Sequence, residues 1–416
     1  MSYHALFAGL AVLTALASIL NERLFKLPKT IGLTLLSVAL SIAMMILVKF
    51  KPEYFTGLHD LLIGIDFKTT ILDVMLGYLL FASSLHINSI DLKKEFRSII
   101  YLASVGVIVS TAAIGFSMHY LSICLHHPIN IFDCLIFGAL ISPTDPIAVL
   151  SVFKTSPHVP AKVKTRITGE ALFNDAAGIL LLFTLVGIFY SSKSDVTINS
   201  VSHLLVTEVG GGIVFGIIVG MITSWLLKFA VSSETIILTT IGASSAGYII
   251  ATNLHFSAAI AMVIAGLIVG INSKKEVFSQ ATTMTLNSFW EMIDDILNSF
   301  IFVLIGLELL EINVSYYGLL FGFVVMVMLV IIRYASISVP NYLLHIALKD
   351  KERNTWTENL LMSWGGIRGG ISVALAMSIP ELPSTLLTIT YSVVLMSIII
   401  QGSTFKMLVN YFFPEK

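Results

Sequence analysis

Charge is scarce in this chain. Asp, Glu, Lys and Arg together make up 12% of its 416 residues, whereas a soluble globular domain carries about 25%. The formal net charge of -1 leaves no basic surface of the kind that holds nucleic acid. Cysteine is nearly absent. Cys124 and Cys134 flank one loop and read as ordinary apolar-phase thiols rather than as a disulfide framework. Polar linkers are missing too, although a water-soluble chain of this length would split into domains joined by them. There is no phosphate-binding glycine loop and no separate nucleotide-binding domain or soluble tail, which argues against a nucleotide-driven machine. The first apolar run lacks a basic head and a small-residue cleavage site, so it reads as a span and not as a removable signal.

What the chain has in abundance is apolar sequence, 56% of it, arranged in runs of about 20 residues, the length that crosses a bilayer as helix. Between charged or turn-rich breaks these runs give thirteen candidate helices, at 3–20, 30–48, 69–85, 98–122, 131–153, 167–190, 203–227, 235–253, 256–272, 289–311, 315–346, 357–379 and 383–411. The fold class expected is an all-α polytopic membrane protein forming one membrane domain over 1–416. Lys and Arg set the orientation. Alternate loops hold 18 of the 24, from Arg23, Lys26 and Lys29 through Lys93, Lys94 and Arg97 to Lys406 and Lys416. The opposite loops hold only 4, namely Lys49, Lys51, Lys68 and Lys193. With an odd number of spans this places the N-terminus outside and the C-terminus in the cytoplasm.

Ionisable groups within such spans are costly, which marks them as functional candidates. The fifth span contains Ser142-Pro143-Thr144-Asp145-Pro146. Two prolines three residues apart remove backbone donors and break the helix, and a broken helix survives in a membrane only where it is buried or lines a cavity. Its freed carbonyls and the Thr144 hydroxyl suit a small hard cation. The sixth span opens with Gly169-Glu170-Ala171-Leu172-Phe173-Asn174-Asp175. Glu170 and Asn174 share a face, and Asp175 lies about 100° further round and roughly two turns deep. A carboxylate placed there can hold a proton or a cation, but not both at once. The twelfth span contains Trp364-Gly365-Gly366-Ile367-Arg368-Gly369-Gly370. Its glycines loosen the helix, and Arg368, which does not lose its charge, needs a buried acid, with Glu170 and Asp145 the candidates.

The two broken spans are seven apart and therefore run in opposite directions. Interrupted helices in inverted positions are the best pointer in a sequence to a transporter's binding site. Crossed breaks bring together helix ends of both signs, where Asp145 can neutralise N-termini and Arg368 C-termini. Glu308 and Arg333, on consecutive spans, read as a structural ion pair. Asp294, Asp295, Asn298 and Ser299 read as solvated or capping groups at the mouth of the tenth span, and His86 and His255 as ordinary span-end residues. No intramembrane histidines stand at metal-ligand spacing and Ser142 has no evident histidine partner, so an enzyme is not expected.

Four stretches resemble the cation/proton antiporters of the NhaP and NHE type: ISPTDPIAV at 141–149, GEALFNDAAGI at 169–179, NSFIFVLIGLEL at 298–309 and WGGIRGGISVALA at 364–376. The resemblance covers nearly the whole chain. It implies the NhaA-like antiporter fold, with inverted repeats, two crossed unwound helices and a core that moves in an elevator-like way. The core would comprise about 69–190 and 289–379, with the remaining spans forming a scaffold that dimerises. It implies that Asp175 binds the transported Na⁺ (or Li⁺) and the proton in turn. Asn174 would mark an electroneutral exchanger, and Thr144 would give the ion an oxygen or hold the crossover. Asp145 would stabilise the crossing helix ends, and Glu170 and Arg368 would form an ion pair. No cofactor is implied; the cation and the proton are substrates.

The chain departs from the family pattern at two points. Relatives often carry FEGGL in the third span, and here Phe81-Ala82-Ser83-Ser84-Leu85 removes the carboxylate, leaving Ser83 or Ser84 as weak substitutes. Ala171 stands where a serine is common. K⁺/H⁺ exchange by the same mechanism and a cation channel are the remaining alternatives.

Overall fold

A computed structural model of the chain describes residues 3–50, 67–87, 89–156, 159–190, 206–275, 277–312, 316–348 and 356–414. All regular structure among them is helical. In chain order the helices are α1 (Tyr3–Leu20), α2 (Lys29–Phe50), α3 (Phe67–His86), α4 (Asp91–Cys124), α5 (Ile131–Ile141) and α6 (Ile147–Thr155). They continue with α7 (Ala161–Tyr190), α8 (Val206–Leu227), α9 (Ser233–Asn253), α10 (Ala258–Lys274) and α11 (Gln280–Leu307). The last are α12 (Tyr316–Leu348), α13 (Trp356–Trp364), α14 (Gly370–Met377) and α15 (Ser384–Phe412). Lys51, Lys193, Lys349, Lys351, Arg353 and Lys416, which enter the orientation count, lie outside the described residues.

Among the described residues, nine helices are long and apolar enough to cross a membrane. The other candidates from the sequence fall short for visible reasons. The fifth and twelfth are each interrupted, into α5/α6 and α13/α14; α10 has only 17 residues; and α11 carries Glu291, Asp294 and Asp295. Length and apolarity alone therefore do not reach the count of thirteen.

Several helices begin earlier than their apolar runs. α4 opens within the helical segment Ser89–Tyr101, with Lys93, Lys94 and Arg97 on its exposed side and Leu92 and Ile99 buried. A helix can continue past the apolar layer wherever its charged side remains in water. α7 likewise starts at Ala161, so Arg166 is not in a loop but inside the helix, buried, and paired with Glu95 at 2.5 Å. α11 starts at Gln280, which places Asn298 and Ser299 in the buried interior of a helix rather than at its mouth.

The described chain packs as two compact units. The first comprises Met1–Leu72, Ser110–Val159 and Asn298–Lys416; the second comprises Asp73–Val109 and Pro160–Leu297. In the first unit α12 packs along α15 and α13, while α14 packs on α5 and α15. In the second, α10 is central, flanked by α8, α9 and α3, and α7 lies against α4. Apolar lipid gives little drive to bury side chains between such helices, so their association relies on close backbone contact through small residues. On α8, Gly212, Gly216 and Gly220 present a smooth stripe to α10, and a Cβ on Gly216 would stand 2.6 Å from the Ala261 carbonyl oxygen. Cys124 and Cys134 are free thiols, one exposed and one buried.

Widening the α8–α10 contact should be costly. Gly216→Leu is expected to destabilise the protein by about 1–3 kcal/mol, the usual penalty for overpacking a well-filled contact. Gly242 on α9 has nothing within 4 Å of its Cβ position, so Gly242→Leu serves as the control. Thermal unfolding in detergent checks the pair: the first variant should lose thermal stability and the second should not.

Candidate functional site

Both interrupted helices belong to the first unit. α5 stops at Ile141 because Pro143 and Pro146 cannot donate to the helical ladder. The chain runs through 142–146 without helical bonding and resumes as α6. Asp145 starts the new helix, its Oδ1 accepting from the Ile147 amide at 2.9 Å. α13 stops at Trp364, and after Gly365 to Gly369 the chain resumes as α14. The two breaks are joined by a main-chain hydrogen bond, in which the Asp145 amide donates to the Ile367 carbonyl at 2.8 Å.

A broken helix leaves its last carbonyls without intrahelical donors, and they carry a partial negative charge. For α13 each of the last four carbonyls has a donor. Leu361 O accepts from Gly365 N at 2.8 Å and Ser363 O from Gly366 N at 3.2 Å. Met362 O accepts from Arg333 Nε at 3.3 Å, and Trp364 O from Gln401 Nε2 at 3.0 Å. At the end of α5 the Arg368 guanidinium reaches across from the other break, Nη1 donating to Ser142 O at 2.5 Å and to Pro143 O at 2.9 Å. Charge-assisted bonds of this kind are roughly twice as strong as neutral ones.

The glycines around Arg368 matter for proximity rather than for unusual torsions. Among the described residues no glycine has a positive φ. A Cβ at Gly369 would run into the Asp145 carboxylate, and one at Gly366 would run into the Arg333 side chain. Asp145 therefore lies beside the N-terminal ends of both resumed helices, α6 and α14.

Three further side chains complete the crossing, and none of them stands out in the sequence. Ser397 accepts from the Arg368 amide at 3.0 Å and hydrogen-bonds to Gln401, and Thr404 accepts from Trp364 Nε1 at 2.9 Å. Their signal is the one-face spacing of polar residues at 397, 401 and 404. Arg333 also belongs here. Paired with Glu308 on sequence grounds, it is seen to reach the crossing itself, with Nη2 at 3.4 Å from Thr144 Oγ1. Thr144, Arg333, Arg368 and Glu308 are all buried.

In the second unit, α7 carries the other motif. Asn174 is fully buried, Glu170 is 3% exposed, and Asp175, one residue on, is partly exposed. The close approach of Gly169 to Ile99 holds this part of α7 against the first turns of α4. α3, which bears the serines suggested as substitutes for a carboxylate, packs on α7 and α10. Ser84 Oγ donates to Phe81 O of its own helix at 2.9 Å and is covered by Gly266. Ser83 Oγ instead faces α11, at 3.5 Å from Asp294 Oδ1. Ala82 is fully buried. His86 and His255 are both exposed.

Comparison with known proteins agrees with this architecture. The family profile described as "Sodium/hydrogen exchanger, transmembrane" matches residues 10–411. The Na(+)/H(+) antiporter NhaP of Pseudomonas aeruginosa is 34% identical over 409 residues, covering 97% of this chain and 96% of that protein. The Na(+)/H(+) antiporter NhaH of Halobacillus dabanensis is 30% identical over 416 residues, 98% of each. Among solved structures, the sodium proton antiporter MjNhaP1 from Methanocaldococcus jannaschii superposes with a TM-score of 0.75 over 100% of both chains, at 20% identity, a likeness of fold. The full-length match, with the four motifs in their expected order, establishes that this chain belongs to the sodium/hydrogen exchanger family.

Proposed function

We propose that this membrane protein exchanges Na⁺ (or Li⁺) for H⁺, one for one, by alternating access, with Asp175 as the carboxylate at which the two compete. The observation behind this reading is the place of Asp175: it is partly exposed, next to the fully buried Asn174, on the membrane-spanning α7. Asp145, by contrast, accepts from the Ile147 amide at the start of α6. Relatives covering the whole chain bear the name Na(+)/H(+) antiporter, which favours Na⁺ over K⁺ as the cation.

Coupling follows from electrostatics. An unpaired carboxylate within the membrane costs roughly 3 kcal/mol even on the insertion scale, so the empty charged site is poorly able to change sides. A cation or a proton removes that charge and permits the move, and alternating them gives exchange without slip. One cation against one proton moves no net charge. Thr144 would contribute an oxygen to the ion or hold the crossover, Glu170 and Arg368 would form an ion pair of the core, and Ser83 and Ser84 are auxiliary candidates. The moving core would comprise the helices within about 69–190 and 289–379, with the others as scaffold and homodimer contact. The chain would lie in the cell (inner) membrane with its N-terminus outside.

Three outcomes are expected in proteoliposomes carrying an interior pH dye. Asp175→Asn, which keeps the shape and removes the titrating group, should reduce Na⁺-driven proton flux to that of protein-free vesicles; flux at the wild-type level would overturn the assignment. Because a bound proton excludes the cation, the half-saturating Na⁺ concentration should rise by up to about tenfold per pH unit of acidification, and a pH-independent value would contradict competition at one site. Exchange should proceed at the same rate with the membrane voltage clamped at zero or at about 100 mV, a difference that would supply roughly 2.3 kcal/mol to any step moving a full charge. Current under voltage alone would instead identify a channel.

A further inference from the structure

α4 is longer than a membrane requires. It runs for 34 residues, Asp91–Cys124, or about 51 Å at 1.5 Å per residue. The hydrocarbon layer takes about 30 Å of that, and about 40–45 Å with both headgroup layers. The apolar run occupies 98–122, so the surplus falls on the charged opening turns, which lie at headgroup depth. The first part of α7 packs on these turns.

The side chains of the opening turns are sorted by sign. Lys93 and Arg97, four residues apart, share one face, with Lys94 beside them and Phe96, 47% exposed, at the border. Glu95 is turned to the other side, where it pairs with Arg166 of α7 at 2.5 Å, and Ile99 meets Gly169 of the same helix. Asp91 stands 3.8 Å from Lys94. The outward side therefore holds three cations against at most one carboxylate. Among the described residues neither Lys93 nor Arg97 stands in an ion pair. Basic side chains with an aromatic ring among them, at the edge of an apolar helix, are the composition of a helix lying against a membrane surface. The cations meet lipid phosphates while the ring enters the boundary with the acyl chains. A neutral headgroup offers the ring the same contact but has no net charge to match the three cations.

We propose that this face of α4 binds anionic phospholipid headgroups of the adjoining leaflet. Lys93, Lys94 and Arg97 hold the phosphates, Arg97 through its planar fork, and Phe96 lies against the acyl chains beneath. Because Glu95 and Ile99 of the same turns grip α7, the bound lipid fixes the depth of both helices at this end. The inference requires only a chain that spans a membrane, so it stands apart from the exchange reading.

The test places a reporter on the face. Phe96→Trp is reconstituted in phosphatidylcholine vesicles containing the same fraction of either brominated phosphatidylglycerol or brominated phosphatidylcholine. Bromine quenches indole fluorescence only at short range, and the signal of the 4 native tryptophans is subtracted with the parent protein. Quenching of the reporter should be about threefold greater with the anionic lipid, an excess within reach of three basic residues near a charged surface. In the reporter background, Lys93→Gln/Lys94→Gln/Arg97→Gln should bring the ratio of the two to about one, whereas Lys228→Gln, exposed at the end of α8, should leave it unchanged. Should the triple variant fail to fold, raising NaCl from about 0.05 M to about 0.5 M on the reporter protein itself should lower the ratio, because salt shortens the range of the attraction. Equal quenching by the two lipids would show a ring in the bilayer without headgroup selectivity. No quenching by either would show a face that stands in water or is covered by protein. Each of these results overturns the inference, as does an excess that survives both the triple variant and high salt.

Discussion

A backbone polar group within the hydrocarbon layer must find its hydrogen-bond partner inside the protein, because no water is there to supply one. Most of the described residues meet that requirement with continuous helix. The interrupted spans α5/α6 and α13/α14 do not, and much of the first unit is organised around them. The carbonyls at the end of α13 are served by two backbone amides, an arginine and a glutamine; those after α5 are served by Arg368. The resumed helix α6 is started by Asp145, which also abuts Gly369 at the start of α14. These requirements account for two glycines, two arginines, an aspartate and a polar stripe on α15 without reference to transport.

That arrangement has a chemical consequence. A helix broken within the membrane is unstable unless its ends are covered, and covering them with side chains of fixed charge creates a polar region where an ion can be accommodated. The proposed titrating group, Asp175, lies on an uninterrupted helix of the other unit, and so does not have to serve as a structural cap. If Asp175 is the group that titrates, its protonation can change without the crossing losing its bonds. A carboxylate required for helix capping would be a poor proton carrier, since each protonation would weaken an N-terminus.

Much of the crossing is legible in the amino-acid sequence. The Pro143/Pro146 pair and the glycines around Arg368 locate both breaks, because missing donors and missing side chains are local properties. The roles of Asp145 and Arg368 at helix ends of opposite sign follow from charge alone. The starts of α7 and α11 do not follow, because hydropathy reports where a helix is apolar and not where it begins. Hydropathy thus puts Arg166 in a loop although it is buried against Glu95, and Asp294 at a helix mouth although it reaches Ser83. Consecutive spans suggest Glu308 as the partner of Arg333; nothing local in α12 reveals that Met362 and Thr144 lie within its reach.

Composition, period and motif are enough to establish a membrane protein of many apolar helices, two of them broken, together with the acids and arginines that lie at depth and the family to which the chain belongs. Each of these properties is carried within about twenty residues. Packing was needed to select which side chain meets which carbonyl, to set Thr144 against an arginine, and to bring Ser397, Gln401 and Thr404 to the crossing. A long side chain can reach any of several neighbours, and only contact among helices distant in the sequence chooses one of them.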